Sequence, residues 1–214
     1  NDIFDNGGGE TGIFVFSASE NEAHHNRIIG NGLGVENQDE NVFNATLNYW
    51  GSEKGPQHST NPMGEGDEVS DNVDFIPWCA DEDCKSEGAG FGGNEEGDEI
   101  DTGLDLNITF DNLSGGTADI SVIKYGEDEI DEDDELPGTL FGFLDNFYNI
   151  DSDLGDGTFN ITLVFHYPDA DQDGFVDNTT PALPETSLEV MFFNTTTGEW
   201  EALTGEIVDT VANT

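Results

Sequence analysis

The chain has 214 residues, room for two modest domains. It carries 48 Asp+Glu against 4 Lys+Arg, a formal net charge of −44. With no basic patch to neutralise phosphates, nucleic-acid binding is excluded, and anionic lipids and polyuronates are repelled. The longest apolar runs, such as Ile13-Phe14-Val15-Phe16, are far too short to span a bilayer, so no direct membrane insertion is expected.

A charge of this size destabilises a compact state in dilute buffer. At about 1 M salt the Debye length is roughly 3 Å and the repulsion is screened. The composition therefore fits a halophilic, high-salt habitat or a protein that binds many cations. Disorder is the competing reading of an acidic chain. The 15 Phe, 3 Trp and 4 Tyr, together with cleanly alternating segments, argue for a folded one. The chain starts at Asn1 rather than Met, and upstream sequence is expected.

In chain order, residues 1–50 carry a degenerate repeat. Asn1-Asp2-Ile3-Phe4-Asp5-Asn6-Gly7 recurs as Asn26-Arg27-Ile28-Ile29-Gly30-Asn31-Gly32, with a weaker copy at Leu47-Asn48-Tyr49-Trp50. The intervals, roughly 20–25 residues, fall in the range of solenoid repeats. Ile3, Ile28 and Ile29 are expected to stack inward from short strands. Asn and Gly suit the left-handed backbone of tight corners, and stacked Asn side chains can hydrogen-bond along the axis. A first coil needs a neighbour to bury its faces, so further coils or another copy of the chain are the expected partners.

Next come Tyr49-Trp50-Gly51-Ser52-Glu53-Lys54-Gly55-Pro56 and Gly66-Asp67-Glu68-Val69-Ser70-Asp71-Asn72-Val73-Asp74-Phe75-Ile76-Pro77-Trp78. This pair of segments resembles the closing coil of right-handed parallel β-helices of the pectate-lyase-like type. There a WGS..GP stretch precedes a V-D-[FY]-x-P-W ending. The resemblance implies that residues 1–78 are the last coils of such a helix, sealed by Trp50 and Trp78. It also implies a secreted or surface protein.

Cys79 and Cys84 follow in Cys-Ala-Asp-Glu-Asp-Cys. In an extracellular protein they read as a disulfide closing a small loop; free thiols and a metal site stay open as alternatives. Residues 86–103 are Gly-rich, acidic and aperiodic, and read with the Cys loop as a flexible linker over 79–103.

From Leu104 the pattern alternates. Leu104, Leu106, Ile108 and Phe110 share one face, as do Ile120 and Val122. Phe159, Ile161, Leu163, Phe165 and Tyr167 form another set, and Leu188, Val190 and Phe192 a further one. Period-two patterning with Gly, Asn and Asp turns predicts an antiparallel β-sandwich over 104–214. The stretches Gly157–Asp171, Leu188–Asn194 and Gly198–Leu203 resemble the immunoglobulin-like modules found downstream of β-helices in microbial surface proteins. The fold class expected for the whole chain is all-β: the last coils of a right-handed parallel β-helix plus an antiparallel β-sandwich.

The strongest chemical motif is Asp169-Ala170-Asp171-Gln172-Asp173-Gly174-Phe175-Val176-Asp177. Carboxylates at positions 1, 3, 5 and 9, with Gly at 6, match the first part of a calcium loop. Phe175 offers its backbone carbonyl. Thr180 stands where a bidentate Glu is expected, and Glu185 substitutes for it if the loop folds back. The expected cofactor is a structural Ca²⁺; a chance acidic turn is the plain alternative. The acidic run Glu127–Glu135 reads as a solvated loop. Sequons at Asn44, Asn107, Asn112, Asn160, Asn178 and Asn194 suit a glycosylated extracellular surface. His24, His25, His58 and His166 lack a third ligand nearby in sequence and read as surface histidines.

No pair of carboxylates stands out for glycoside hydrolysis, and residues 1–78 hold only Arg27 and Lys54 for uronate chemistry. A non-catalytic stalk, adhesin, surface-layer or filament component is expected. The alternatives are a carbohydrate-active or glycan-binding protein with its active coils upstream, or a viral fibre of a halophilic host.

Overall fold

A computed structural model describes the chain apart from residues 5, 7, 8, 19, 20, 114, 115, 127–139, 145, 156, 157, 180, 195, 205, 206 and 210–214; for 140–143 the backbone alone is described. The acidic run Glu127–Glu135 thus lies outside the described residues. The chain is all-β, with antiparallel sheets.

The first part consists of short strands paired in parallel. Strands β1 (Asp2–Phe4) and β3 (Arg27–Ile29) pair in the register Ile3 to Ile28. Strands β2 (Thr11–Val15) and β4 (Leu33–Asn37) pair in the register Ile13 to Val35. Then β5 (Phe43–Asn44) pairs with β8 (Val73–Asp74), and β6 (Pro56–Gln57) with β7 (Gly66–Glu68). Isolated parallel bridges join Arg27 to Tyr49 and Val35 to Val69. The buried side chains Ile28, Val35, Trp50, Val69, Phe75 and Trp78 meet in one apolar cluster.

Ile29, expected to point inward, does not. Successive side chains of a strand face opposite sides, so Ile28 takes the core. Ile29 lies half-exposed on the other face, over Gly51.

Strands this short leave many backbone groups outside any ladder, and buried ones need partners. Asparagine side chains supply them. Asn48 donates to the carbonyls of Ala23 (2.6 Å) and Ala45 (2.7 Å). Asn37 donates to those of Asn41 (2.9 Å) and Asn72 (2.8 Å), and Asn61 to those of Lys54 (3.0 Å) and Pro56 (2.8 Å).

The second part is built on two antiparallel sheets of three or more strands. The larger has the order β20-β19-β14-β15-β13-β10-β9. Its strands are β9 (Trp78–Cys79), β10 (Glu87–Asn94), β13 (Ala118–Tyr125), β14 (Leu140–Phe143), β15 (Asn146–Ser152), β19 (Met191–Asn194) and β20 (Glu199–Ala202). The smaller joins β11 (Glu99–Asp101), β12 (Leu106–Leu113) and β16 (Phe159–Phe165). Both sheets feed one apolar core that includes Leu104, Leu106, Ile108, Phe110, Ile120, Val122 and Tyr148. The period-two pattern read from Leu104 onward puts these residues on buried faces. The Tyr148 hydroxyl, taken out of water with its ring, donates to the Leu104 carbonyl at 3.0 Å.

Two expected boundaries fail. Residues 86–103 are not a linker: they form β10 and β11. Gly93, Gly97 and Gly103 take left-handed backbone (φ 73°, 91° and 71°), and Gly88 and Gly90 allow close approach. A Cβ at Gly88 would fall on the Trp78 indole, and one at Gly90 on the Asn61 side-chain amide. Nor does the first part end cleanly at residue 78. Trp78 and Cys79 form the outermost strand of the larger sheet, opposite Gly88 and Glu87. Ile123, from the middle of β13, packs into the apolar cluster of the first part. The sheet pairing of the second part accordingly starts at Trp78–Cys79 and Glu87, ahead of Leu104.

Candidate functional site

The Asp-rich turn follows β16. Thr179 folds it back: its hydroxyl donates to the Val176 carbonyl (2.8 Å) and accepts from the Leu183 N–H (3.0 Å). Strands β17 (Phe175–Val176) and β18 (Leu183–Pro184) then pair antiparallel, Val176 opposite Leu183. The fold-back carries Glu185, first residue of a short 3-10 turn, to the side of Asp169. Val176 and Leu188 anchor the hairpin in the core of the second part, and Leu183 packs against it.

Asp169, Asp171 and Asp177 bring carboxylate oxygens within 4.8 Å of one another. The backbone holds two of them in place. The Gln172 N–H donates to Asp169 Oδ1 at 2.8 Å, and the Ala170 N–H to Asp177 Oδ2 at 2.7 Å. Asp173 turns instead to its own chain, accepting the Phe175 N–H at 2.9 Å. Gly174 takes the left-handed conformation (φ 87°) that the sharp turn requires. Opposite Phe175 stands Pro184, which has no N–H to give, so the Phe175 carbonyl receives no ladder bond from it.

Asp169 and Glu185 are 4% and 2% exposed. The Oε1 atom of Glu185 is buried and has no hydrogen-bond partner. Burial pushes the Glu185 carboxyl above its ordinary range, the adjoining Asp169 adds to this, and a hydrogen bond with Tyr167 opposes it. The Tyr167 phenol, buried and facing Glu185, is pushed up to about 12. Asp171 is raised chiefly by the charge of Asp173, then by burial and by Asp177. Tyr167 and Thr179 were not legible as parts of this turn. Tyr167 ends an apolar alternation, and Thr179 sits in an ordinary polar turn.

Cys79 and Cys84 form a disulfide with Cα atoms 4.6 Å apart, and His25 stands near both sulfurs. His24 Nδ1 faces the Thr46 carbonyl at 2.8 Å, and His58 Nδ1 the Thr60 hydroxyl at 2.8 Å. Arg27 is ion-paired with Asp2 and Glu82, Lys54 with Glu65 and Lys124 with Asp105. Both basic side chains of residues 1–78 are thus already engaged.

The sequon asparagines fall into two groups. Asn112, Asn160 and Asn178 are exposed, and Asn112 stands opposite Asn160 across β12 and β16. Asn44, Asn107 and Asn194 are half-buried. The Asn194 amide donates to Glu201 at 2.8 Å, and Asn44 Oδ1 accepts from the Thr46 hydroxyl at 3.1 Å.

A second feature lies in the first part of the chain. Asn1 donates to Asn26 Oδ1 (3.2 Å) and Asn26 to Asn48 Oδ1 (2.9 Å), across sequence intervals of 25 and 22 residues. A parallel ladder runs from Asn6 to Asn31 Oδ1 (2.9 Å) and from Asn31 to Asp67 Oδ2 (2.8 Å). On their other edges, β1 and β2 pair with no described strand. Phe4, Phe14 and Phe16 are exposed beside those edges, the last two rings 4.5 Å apart.

Among the described residues no helix is long and apolar enough to cross a membrane. No family model matches the chain, and no curated protein or solved structure is significantly similar to it.

Proposed function

We propose that the chain is a non-catalytic extracellular structural or adhesive protein, a surface-layer, stalk or filament component. In this reading residues 1–78 are the closing coils of a right-handed parallel β-helix, and the two antiparallel sheets form an immunoglobulin-like β-sandwich. The observation that carries it is the pair of asparagine ladders running from coil to coil in register with parallel strands. Such a ladder is a repeating device: each level satisfies the next and leaves the same chemistry on the outermost one. The β1–β2 edge therefore takes a further coil of the same kind, upstream or from another copy. An unpaired strand edge is a template for pairing.

The acidic surface keeps such an assembly hydrated at high salt, where the charges are screened. The ion-paired state of Arg27 and Lys54 gives no support to the uronate-lyase alternative.

Hydrogen exchange on the protein in its native cell-surface assembly tests this reading. The amides of Ile3, Phe4 and Ile13–Val15 are expected to exchange as slowly as those of Ile28 and Val35. Free-edge exchange rates at β1 and β2, or protection of the protein from protease applied to intact cells, would overturn it.

A further inference from the structure

We propose that the turn between β16 and the 3-10 turn at Glu185 binds one divalent cation of the calcium class, with Asp169, Asp171, Asp177 and the buried Glu185 as carboxylate ligands. The site lies far along the chain from the β1–β2 edge and stands or falls independently of the assembly reading.

Three features carry it. The oxygens of Asp169, Asp171 and Asp177 already converge within 4.8 Å. Beside them Glu185 is almost wholly buried, with Oε1 unpartnered. A carboxylate taken out of water without a counter-charge is costly. The ion pairs of Arg27, Lys54 and Lys124 are all made elsewhere. A bound cation supplies the missing charge and gives that oxygen a partner.

The donor set is all hard oxygen, with neither imidazole nor thiolate, which excludes soft metals. Its irregular arrangement, assembled from a turn and from a residue beyond a hairpin, suits Ca²⁺. Mg²⁺ demands a near-ideal octahedron and keeps its waters. Glu185 thus stands in for the closing Glu of a continuous calcium loop. It is delivered by the pairing of β17 with β18 rather than by sequence position.

The cation consequently locks a hairpin. Its ligands sit on both sides of β17–β18, and Val176, Leu183 and Leu188 of the same hairpin pack on the core. Removing the ion leaves like charges facing one another at the base of that hairpin.

The experiment titrates the EDTA-stripped, desalted full chain with CaCl₂ by calorimetry in about 1 M NaCl, where diffuse binding to surface acids is screened. Tb³⁺ luminescence excited through tyrosine is the second readout, Tyr167 adjoining Glu185. One saturable Ca²⁺ per chain is expected, with a rise in melting temperature that Mg²⁺ at equal concentration does not reproduce. Asp171→Asn, at an exposed position, is expected to weaken binding at least about tenfold, as is Glu185→Gln, whereas Glu199→Gln on β20 leaves it unchanged. If Glu185→Gln fails to fold, Asp171→Asn decides. Binding that never saturates, or a saturable site that Asp171→Asn leaves at wild-type affinity, overturns the proposal.

Discussion

The two parts of the molecule are both built of strands, yet they bury different chemistry. Around the parallel strands the interior holds Asn26, Asn31, Asn37, Asn48 and Asn61 beside Ile28, Val35, Trp50 and Trp78. Between the antiparallel sheets it is a continuous apolar layer from Leu104, Leu106, Ile108 and Phe110 to Ile120, Val122 and Tyr148. Strand length explains the contrast. Strands of eight residues such as β12 and β13 satisfy most of their backbone by pairing, and a buried amide is needed only where the register shifts, at Asn94, which donates to the Ala118 carbonyl (2.8 Å). Strands of two to five residues expose backbone at every corner, so amide side chains must follow it inside. One part is held by area removed from water, the other equally by hydrogen bonds that cannot be left unmade.

Trp78 joins the two, and its truncation is the widest break available. Trp78→Ala empties a fully buried site, also removes the 2.8 Å bond from the indole N–H to the Glu53 carbonyl, and is expected to cost about 3–5 kcal/mol. Because β9 belongs to the larger sheet, denaturant unfolding followed by far-ultraviolet dichroism and by tryptophan fluorescence should shift together. Separate transitions would show that the two parts are energetically independent.

Asn26→Leu sharpens the contrast. It roughly keeps volume but removes the side-chain bonds to Asn48 Oδ1 (2.9 Å) and to the His24 carbonyl (3.0 Å) and the acceptor of the Asn1 amide, leaving Asn48 Oδ1 only the backbone N–H of residue 26, an expected loss of about 1–3 kcal/mol. Native-state hydrogen exchange should show this loss at Ile28 and Tyr49 and leave Ile108 and Val122 unchanged. An even loss over both parts would mean that the ladder is not a local device.

Reduction of the Cys79–Cys84 bond, or Cys79→Ser with Cys84→Ser, opens a small loop. The expected cost is about 2 kcal/mol or less, measured by urea midpoint with and without reductant.

The smallest effect belongs to Tyr148. Tyr148→Phe removes one hydrogen bond to Leu104, about 1 kcal/mol. Its pH signature is more specific. Burial, and secondarily the Asp105 charge, raise the Tyr148 phenol well above 10.0, and burial pushes Tyr125 up to about 12. Below about pH 10 both folded and unfolded states keep these protons, and stability does not depend on them. Above it the unfolded chain releases them first, so stability falls as pH rises toward 12. Melting temperatures between pH 9 and 12 should decline less steeply in Tyr148→Phe than in the wild type.

The limits of sequence reading show at particular residues. The strict alternation from Leu104 to Phe110 can be read directly, because a period of two has one physical meaning. The spacing of Asn1, Asn26 and Asn48 is equally plain, and the structure joins those side chains. The glycines of residues 86–103 suggest flexibility by composition, whereas the segment forms β10 and β11. Composition cannot distinguish a glycine that is free to move from one over which an indole lies, as at Gly88. Ile29 faces away from the core because two adjacent isoleucines cannot both face one side of a strand.

By itself, the sequence determined the all-β class, the acidic surface, the asparagine repeat and the position of the Asp-rich turn. Each rests on local pattern or composition, which act within a few residues. The tertiary structure alone decided three further things. Trp78 came to belong to both parts, through a strand pairing with Gly88. Ile123 crossed from one apolar cluster to the other. Glu185 came to rest beside Asp169, because Thr179 turns the chain and β17 finds β18. Contacts of this kind are set by which strands meet, and strand partners are chosen by the packing of the whole chain rather than by any segment of it.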